Sequence, residues 1–447
     1  MKIRVKEDHW NIILNVLNRS FGPATEHNEW GIIGIVRKLG DEVFLITDVI
    51  EANDPKDVQG SRGNLRFSPN YIRRAQLKGK KDGATGLIFF HTHPFSKNTV
   101  SFSPYDDAQE PELMKNLCDV WPGSEHVSVV LGERAFKARA YLNDGEVCQI
   151  PKLFVVGKHL KLIPTNGVAE KPAKAAGIFD RAKVLTGNGA LAVLGQLRMA
   201  IIGAGGTGSL MVELLKRAGA KDIVLIDDDC VDDTNLNRLL HATALDAKEK
   251  RKKVYVAVYA NHLTGIGCVV EPVDGSIINT SIQERLKQVD LLIGCVDKET
   301  PRYILNKIAV DFGIPYVDLG VEIGGDQDLV KSLDARVTHI YPGGPCLECL
   351  GLINHDKLRL EGLQPEERKR HIALGYSQDI DIKQPAVMEL NMRAASLASL
   401  LIRHMIQPFL DESLKTDMRE SLLTLKHRQL AIRSDQKSPC RICGAMS

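Results

Sequence analysis

The stretch Met199-Ala200-Ile201-Ile202-Gly203-Ala204-Gly205-Gly206-Thr207-Gly208 decides the fold of the longer part of this chain. A short apolar run that ends in G-x-G-x-x-G reads as a strand, a tight turn and the start of a helix. Such a turn leaves backbone N–H groups bare at the positive end of a helix, where a phosphate can sit. Ser209 to Gly219 reads as that helix and Asp222 to Ile226 as the next strand. The second strand runs into Asp227-Asp228-Asp229, about 20 residues past the last glycine, where an acid can hold ribose hydroxyls. Further strands are expected at Val289 to Cys295 and Pro315 to Leu319. Alternating elements of this kind imply an α/β fold with a doubly wound parallel sheet. NAD and ATP fit this much equally, and the fingerprint alone favours a dehydrogenase.

The residues beyond the second strand break that tie. A dehydrogenase has no standing need for Asn235, Arg238 and Lys253 there. An enzyme that cleaves between the α- and β-phosphates does, because negative charge builds on the phosphorus and the leaving pyrophosphate. The run from Asp227 and Asp229 through Asn235 and Arg238 to Lys253 resembles the ThiF/MoeB and ubiquitin-activating adenylation domains. The resemblance implies ATP and Mg2+. Gly203, Gly205, Gly206 and Gly208 would cradle the triphosphate, Asp227 would hold the ribose with Asp229 beside it, and Asn235, Arg238 and Lys253 would face the phosphates. Lys252 is the alternative to Lys253. Arg181, in Phe179-Asp180-Arg181, matches a family arginine that reaches ATP across a dimer interface, which implies a homodimer. Asp297, in Gly294-Cys295-Val296-Asp297 and followed by Arg302 and Asn306, matches the family's magnesium-placing aspartate. Taken alone, Asp297 would read as a helix N-cap.

A second site lies near the other end. In Gly86-Leu87-Ile88-Phe89-Phe90-His91-Thr92-His93-Pro94, a strand would aim His91 and His93 to one side. Ser103-Pro104-Tyr105-Asp106 reads as a helix start, with Asp106 one turn from the cap. Two imidazoles and a carboxylate form a three-ligand zinc set with a spare position. Glu29 and Glu26, ahead of the strand that begins near Trp30, are the candidate proton acceptors, with Glu29 the nearer. Each piece alone reads as ordinary structure. Together they resemble the JAMM/MPN signature, which implies an α+β domain that removes ubiquitin-like proteins or groups from their C-termini. Ser103 would then donate to the developing oxyanion. The gap from His93 to Ser103 is longer than the family's usual one, which leaves Asp106 and Asp107 both open.

Cys346-x-x-Cys349 and Cys440-x-x-Cys443 are two knuckles that suit a closed, structural Zn2+ site, as ThiF/MoeB-like enzymes carry. Leu350 to Met388, where ubiquitin-activating enzymes place a thioester cysteine, contains none. The implied chemistry therefore stops at an acyl-adenylate, or a partner supplies the thiol.

The bulk numbers agree with a fusion of two enzymes. The 447 residues suit two or three domains. A net charge of +2 gives no reason to invoke nucleic acid, and no apolar run suits a membrane or an export signal, so the cytoplasm is expected. We read residues 1–150 as the zinc hydrolase, 151–174 as a linker and 175–447 as the adenylyltransferase. The expected partner is a ubiquitin-like or sulfur-carrier-like protein, with a conjugating enzyme as a further one. By resemblance, bacterial conjugation or antiphage defence is the setting. The rival readings are a sulfur-transfer or peptide-modifying adenylyltransferase with an accessory peptidase, or a scaffold with one inactive domain.

Overall fold

The computed structural model describes residues 1–21, 27–163, 165, 177–326, 329–364, 366–368, 370, 386–410, 416–430 and 439–444. Contacts divide it into two compact units, Met1–Ala173 and Lys174–Ser447.

The first unit is built on β1 (Lys2–Lys6), α1 (Glu7–Leu17), β2 (Gly31–Leu39), β3 (Val43–Ile50), β4 (Val58–Ser61), β5 (Asn64–Phe67), α2 (Pro69–Lys81), β6 (Gly86–Thr92), α3 (Pro104–Val120), β7 (His126–Leu131), β8 (Phe136–Tyr141), β9 (Val147–Gln149), β10 (Lys152–Val156) and β11 (Leu160–Ile163). One nine-stranded sheet runs β11-β10-β1-β3-β2-β6-β7-β8-β9, and β4 and β5 form a separate hairpin. The interior strand β6 is buried along its whole length. Its alternation sorts the core: Ile88 and Phe90 pack with Trp10, Ile13 and Leu17 of α1, while Leu87 and Phe89 pack with Tyr71 of α2 and Met114 and Leu117 of α3. His91 continues the second series, so it points to the side where α3 lies.

The linker expected at 151–174 begins too early. Lys152–Val156 is a strand paired in parallel with Lys2–Lys6, and Leu160–Ile163 pairs with it in turn. Leu153, Phe154, Val155 and Val156 are all buried. A strand covered on both faces shows a continuous apolar run and no alternation, which is why it lacks a readable period. Most of the remaining expected linker, 166–174, lies outside the described residues.

The second unit comprises α4 (Lys183–Leu194), β12 (Arg198–Ile202), α5 (Gly206–Ala218), β13 (Asp222–Asp227), α6 (Ala244–Lys248), α7 (Lys253–Thr264), β14 (Val269–Asp274), α8 (Thr280–Leu286), β15 (Leu291–Gly294), α9 (Glu299–Phe312), β16 (Tyr316–Asp326), β17 (Leu329–Ile340), α10 (His355–Glu361), α11 (Met388–Ile406), β18 (Asp417–Ser421) and β19 (Lys426–Leu430). Its eight-stranded sheet runs β14-β13-β12-β15-β16-β17-β18-β19. The expected all-parallel sheet is half of the answer. Strands β14 to β16 pair in parallel, and β16 to β19 pair antiparallel. Neither the long β16–β17 pair nor the β18–β19 hairpin has a helix between its two strands, so neither carries strand–helix alternation to read. Among the described residues, no helix is long and apolar enough to cross a membrane.

His126 reports on the first unit's core. It is fully buried; its Nδ1 accepts from the Leu87 backbone N–H at 3.1 Å, and its Nε2 lies 2.8 Å from Ser124 Oγ. A backbone N–H can only donate, so the ring must be neutral at Nδ1. Burial lowers its pKa to about 4. The unfolded chain therefore takes up this proton first. Stability is full above about pH 6.5 and falls by about 3 kcal/mol as pH drops towards 4. Denaturant titrations of wild type across that window will show the loss, and His126→Gln will flatten it; an unchanged slope would rule out His126 as its source.

Candidate metal centre and nucleotide site

In the first unit, β6 ends at Thr92, and His93 follows with its backbone N–H bonded to Leu131 O at 2.9 Å. The two imidazoles lie on one side, with ring centroids 5.1 Å apart. Thr92 points the other way: its Oγ1 accepts from the Trp30 N–H at 2.9 Å and meets Ser20 Oγ at 2.5 Å. This fixes the start of β2 against the histidine strand, a tie the sequence reading missed.

Helix α3 delivers the carboxylate. Ser103 is its N-cap in a reciprocal capping box with Asp106. Asp106 Oδ1 lies 3.5 Å from His91 Nε2, and Asp106 Oδ2 lies 3.3 Å from His93 Nε2. Tetrahedral zinc with bonds of about 2.05 Å needs ligand atoms about 3.4 Å apart. His91 Nε2 is also buried without a hydrogen-bond partner, a group that a metal would satisfy. The three residues therefore fit a zinc ion. Asp107 points elsewhere, to Arg139 Nη1 at 2.6 Å, so of the two aspartates Asp106 is the one beside the imidazoles.

Glu29 Oε1 lies 4.0 Å from His93 Nε2. Glu26 is outside the described residues. Burial raises the pKa of Glu29, against the opposing pull of His93 and His91. Asp106 feels burial too, but His91 and His93 outweigh it and hold its carboxyl well below the usual range. The Glu29 backbone is set by the β4–β5 hairpin: its N–H bonds to Ser61 O at 2.9 Å, and a Cβ on Gly60 would fall 1.8 Å from Glu29 O. Ser103, expected to meet the oxyanion, is bonded here within its own cap. Its hydroxyl donates to Asp106 Oδ2 at 2.8 Å.

In the second unit, α5 starts at Gly206 with no side-chain cap, which leaves its first N–H groups open. A Cβ on Gly205 would meet nothing within 4 Å, so the turn faces free space. Asp227, at the end of β13, accepts from the Ala204 N–H at 2.6 Å and from the Asp229 N–H at 2.7 Å. Burial raises its pKa, and Lys253 is the largest opposing influence. Lys253 is buried at the start of α7 with Nζ 2.7 Å from Asp229. Lys252 turns away to Asp274 at 3.0 Å. Arg238 lies over the turn: a Cβ on Gly206 would come 3.3 Å from Arg238 Cγ and 2.3 Å from Asn391 Nδ2 of α11. Asn391 is a contact that sequence distance hid. Asn235 Oδ1 accepts from the Asp232 N–H at 3.1 Å and so shapes the loop. Arg181 is exposed in a short turn at Asp180–Ala182. Asp297 is exposed and is not the cap of α9, a position that Lys298 holds. Arg302 and Asn306 are structural: Arg302 pairs with buried Asp318 at 3.3 Å, and Asn306 Oδ1 accepts from Leu347 N at 2.9 Å inside the first cysteine knuckle.

The four cysteines of the knuckles converge. Cys346–Cys349, Cys346–Cys440 and Cys349–Cys443 sulfurs are 3.8, 3.7 and 3.4 Å apart. A disulfide needs about 2.05 Å, whereas four thiolates about 2.3 Å from a tetrahedral zinc sit about 3.8 Å apart. The set fits a closed zinc site, and Cys346 and Cys349 belong to the core of α9 and the sheet.

The sequence model of the ThiF family matches residues 180–439, more than half the chain. The chain is 31% identical over 159 residues to adenylyltransferase and sulfurtransferase UBA4 of Meyerozyma guilliermondii, covering 35% of this chain and 34% of that protein. It is 28% identical over 154 residues to the SAMP-activating enzyme E1 of Haloferax volcanii, covering 34% and 53%. It is 30% identical over 160 residues to the sulfur carrier protein ThiS adenylyltransferase of Bacillus subtilis, covering 35% and 44%. The chain thus spans about a third to a half of the length of the curated relatives it matches.

Purified protein is expected to hold two zinc ions per chain by elemental analysis. Cys346→Ser will remove one and lower the unfolding temperature of the second unit, since structural zinc contributes folding energy directly. His93→Ala will remove the other. A zinc count unchanged by both substitutions would refute both assignments.

Proposed function

The chain belongs to the ThiF family, and from that membership we propose that its second unit is an ATP-dependent adenylyltransferase. Its substrate is the C-terminal carboxylate of a ubiquitin-like or sulfur-carrier-like protein. The observation that carries this reading is the meeting of Arg238, Lys253 and Asp227 around an uncapped glycine turn. The carboxylate attacks the α-phosphate of ATP, the bond to the β-phosphate breaks, and acyl-AMP and pyrophosphate result. Lys253 and Arg238 stabilise the charge that builds there. Asp227 receives the ribose hydroxyls. Asp297 would hold Mg2+, which when bound neutralises phosphate charge. The names of the relatives support the substrate class.

No internal thioester is part of the reading. Four cysteines converge in the knuckles, and burial pushes the Cys295 thiol up to about 12, far from a thiolate at neutral pH. A conjugating enzyme would supply a thiol if one is used. Arg181 would complete the site of a second copy in a homodimer.

For the first unit we propose a zinc-dependent peptide or isopeptide hydrolase of the JAMM/MPN type, acting at the same C-terminus. His91, His93 and Asp106 would hold the zinc, which when bound supplies Lewis acidity. Glu29, buried and raised in pKa, is placed to accept and return a proton. One chain would then both expose and activate a carboxylate, or activate it and reverse its conjugation.

ATP–pyrophosphate exchange with candidate proteins ending in glycine tests the first reading. Asp297→Asn and Arg238→Ala are each expected to lower exchange by about a hundredfold or more. Exchange with none of them would sink it. Chelator-sensitive cleavage of a fusion to the same protein tests the second reading: His93→Ala should abolish it while leaving exchange intact.

A further inference from the structure

The metal triad requires the first turn of α3 to hold one position, yet the helix lacks one of its own bonds there. Pro111 sits inside α3. Its missing N–H leaves the carbonyl of Asp107, the residue after Asp106, without the usual helical donor. The capping box ties Ser103 to Asp106, and a group from outside the helix adds a second hold on this turn.

A single guanidinium from β8 does so. Arg139 Nη1 donates to Asp107 Oδ1 at 2.6 Å, and Arg139 Nε donates to Glu110 Oε2 at 2.8 Å. Positions 107 and 110 share one helix face, so the planar fork grips the segment of α3 that precedes the proline. Glu110 is buried and anchored again by Ser128 Oγ at 2.5 Å and Tyr141 OH at 3.0 Å. The same guanidinium lies 3.8 Å above the ring of Phe102, just before the Ser103 cap, and Phe102 packs against His91 with centroids 6.2 Å apart. Arg139 therefore contacts the chain on both sides of Asp106 and backs one of the histidines. Its side chain and that of Glu110 are 12% and 11% exposed, so water screens this pair little, whereas Asp107 is 58% exposed.

We propose that Arg139 is the positioning residue of the metal centre: it sets the Asp106 carboxylate at the distance the two imidazoles demand. The inference rests on the zinc reading of His91, His93 and Asp106. It predicts that metal affinity at this site depends on Arg139, although Arg139 touches no ligand atom.

Co2+ titration of the full chain reads this directly. Cobalt bound by imidazoles and a carboxylate lacks the sulfur-to-metal absorption of the four-cysteine site, so both sites are followed in one sample. Arg139→Met is expected to weaken the His/Asp site about 10- to 100-fold, the usual effect of removing an outer partner, with the cysteine site unchanged. Arg139→Lys, which keeps the charge but loses the fork, should fall between. Leu117→Ala, a buried change one turn past Met114 on α3, supplies a comparison at matched loss of thermal stability. Wild-type affinity in Arg139→Met overturns the proposal, as does an equal loss in Leu117→Ala. If wild type itself binds no cobalt outside the cysteine site, the zinc reading fails first and the proposal falls with it.

Discussion

A Cβ on Gly208 would lie 1.8 Å from the Gly203 carbonyl oxygen. Strand β12 and helix α5 therefore meet at a separation that only glycine permits, and the second unit is arranged around that contact. It brings the open N-terminus of α5 to the end of the sheet, beside Asp227 from the neighbouring strand. Helix α11 then closes over the turn through Asn391, and α7 presents Lys253 from the far side. The first unit uses the same kind of constraint at Gly60, where the β4–β5 hairpin touches the Glu29 backbone and sets it beside the histidines.

In both sites, groups of similar chemistry are driven apart by their surroundings. Asp106 and Glu29 approach the same imidazole, at 3.3 and 4.0 Å. Asp106 has two imidazoles and the α3 cap to favour its charge, and stays ionised far below the usual range. Glu29 is governed by burial and is raised. Such a split is the one the proposed roles call for, one carboxylate holding a cation and the other moving a proton. Lys252 and Lys253 divide likewise: one pairs with Asp274 at the surface, while the other is buried where it acts on Asp227.

Local patterns carried much of this in the sequence. Period-two alternation placed His91 and His93 on one side, the Ser-Pro-x-Asp step opened α3, and the glycine turn between a strand and a helix fell where the chain makes it. Each of these depends on residues within about one turn or one strand of each other, which is the range over which backbone geometry fixes direction. Strand Lys152–Val156 was invisible as a strand, because burial on both faces erases alternation, and Leu160–Ile163 is a four-residue edge strand too short to show a period. The antiparallel half of the second sheet was missed, because strand order is not written in periodicity.

The sequence by itself therefore determined which side chains are offered: two imidazoles and a carboxylate, a bare glycine turn, four thiols in two knuckles. Only the tertiary structure decided which of them meet. Asp106 over Asp107, Lys253 over Lys252, Ser103 bonded within its own cap, and Arg139 bracing α3 from β8 all rest on contacts between residues remote in the chain or on which way a helix face turns. Those outcomes follow from packing, where a difference of one position along a helix rotates a side chain by about 100° and sends it to a different partner.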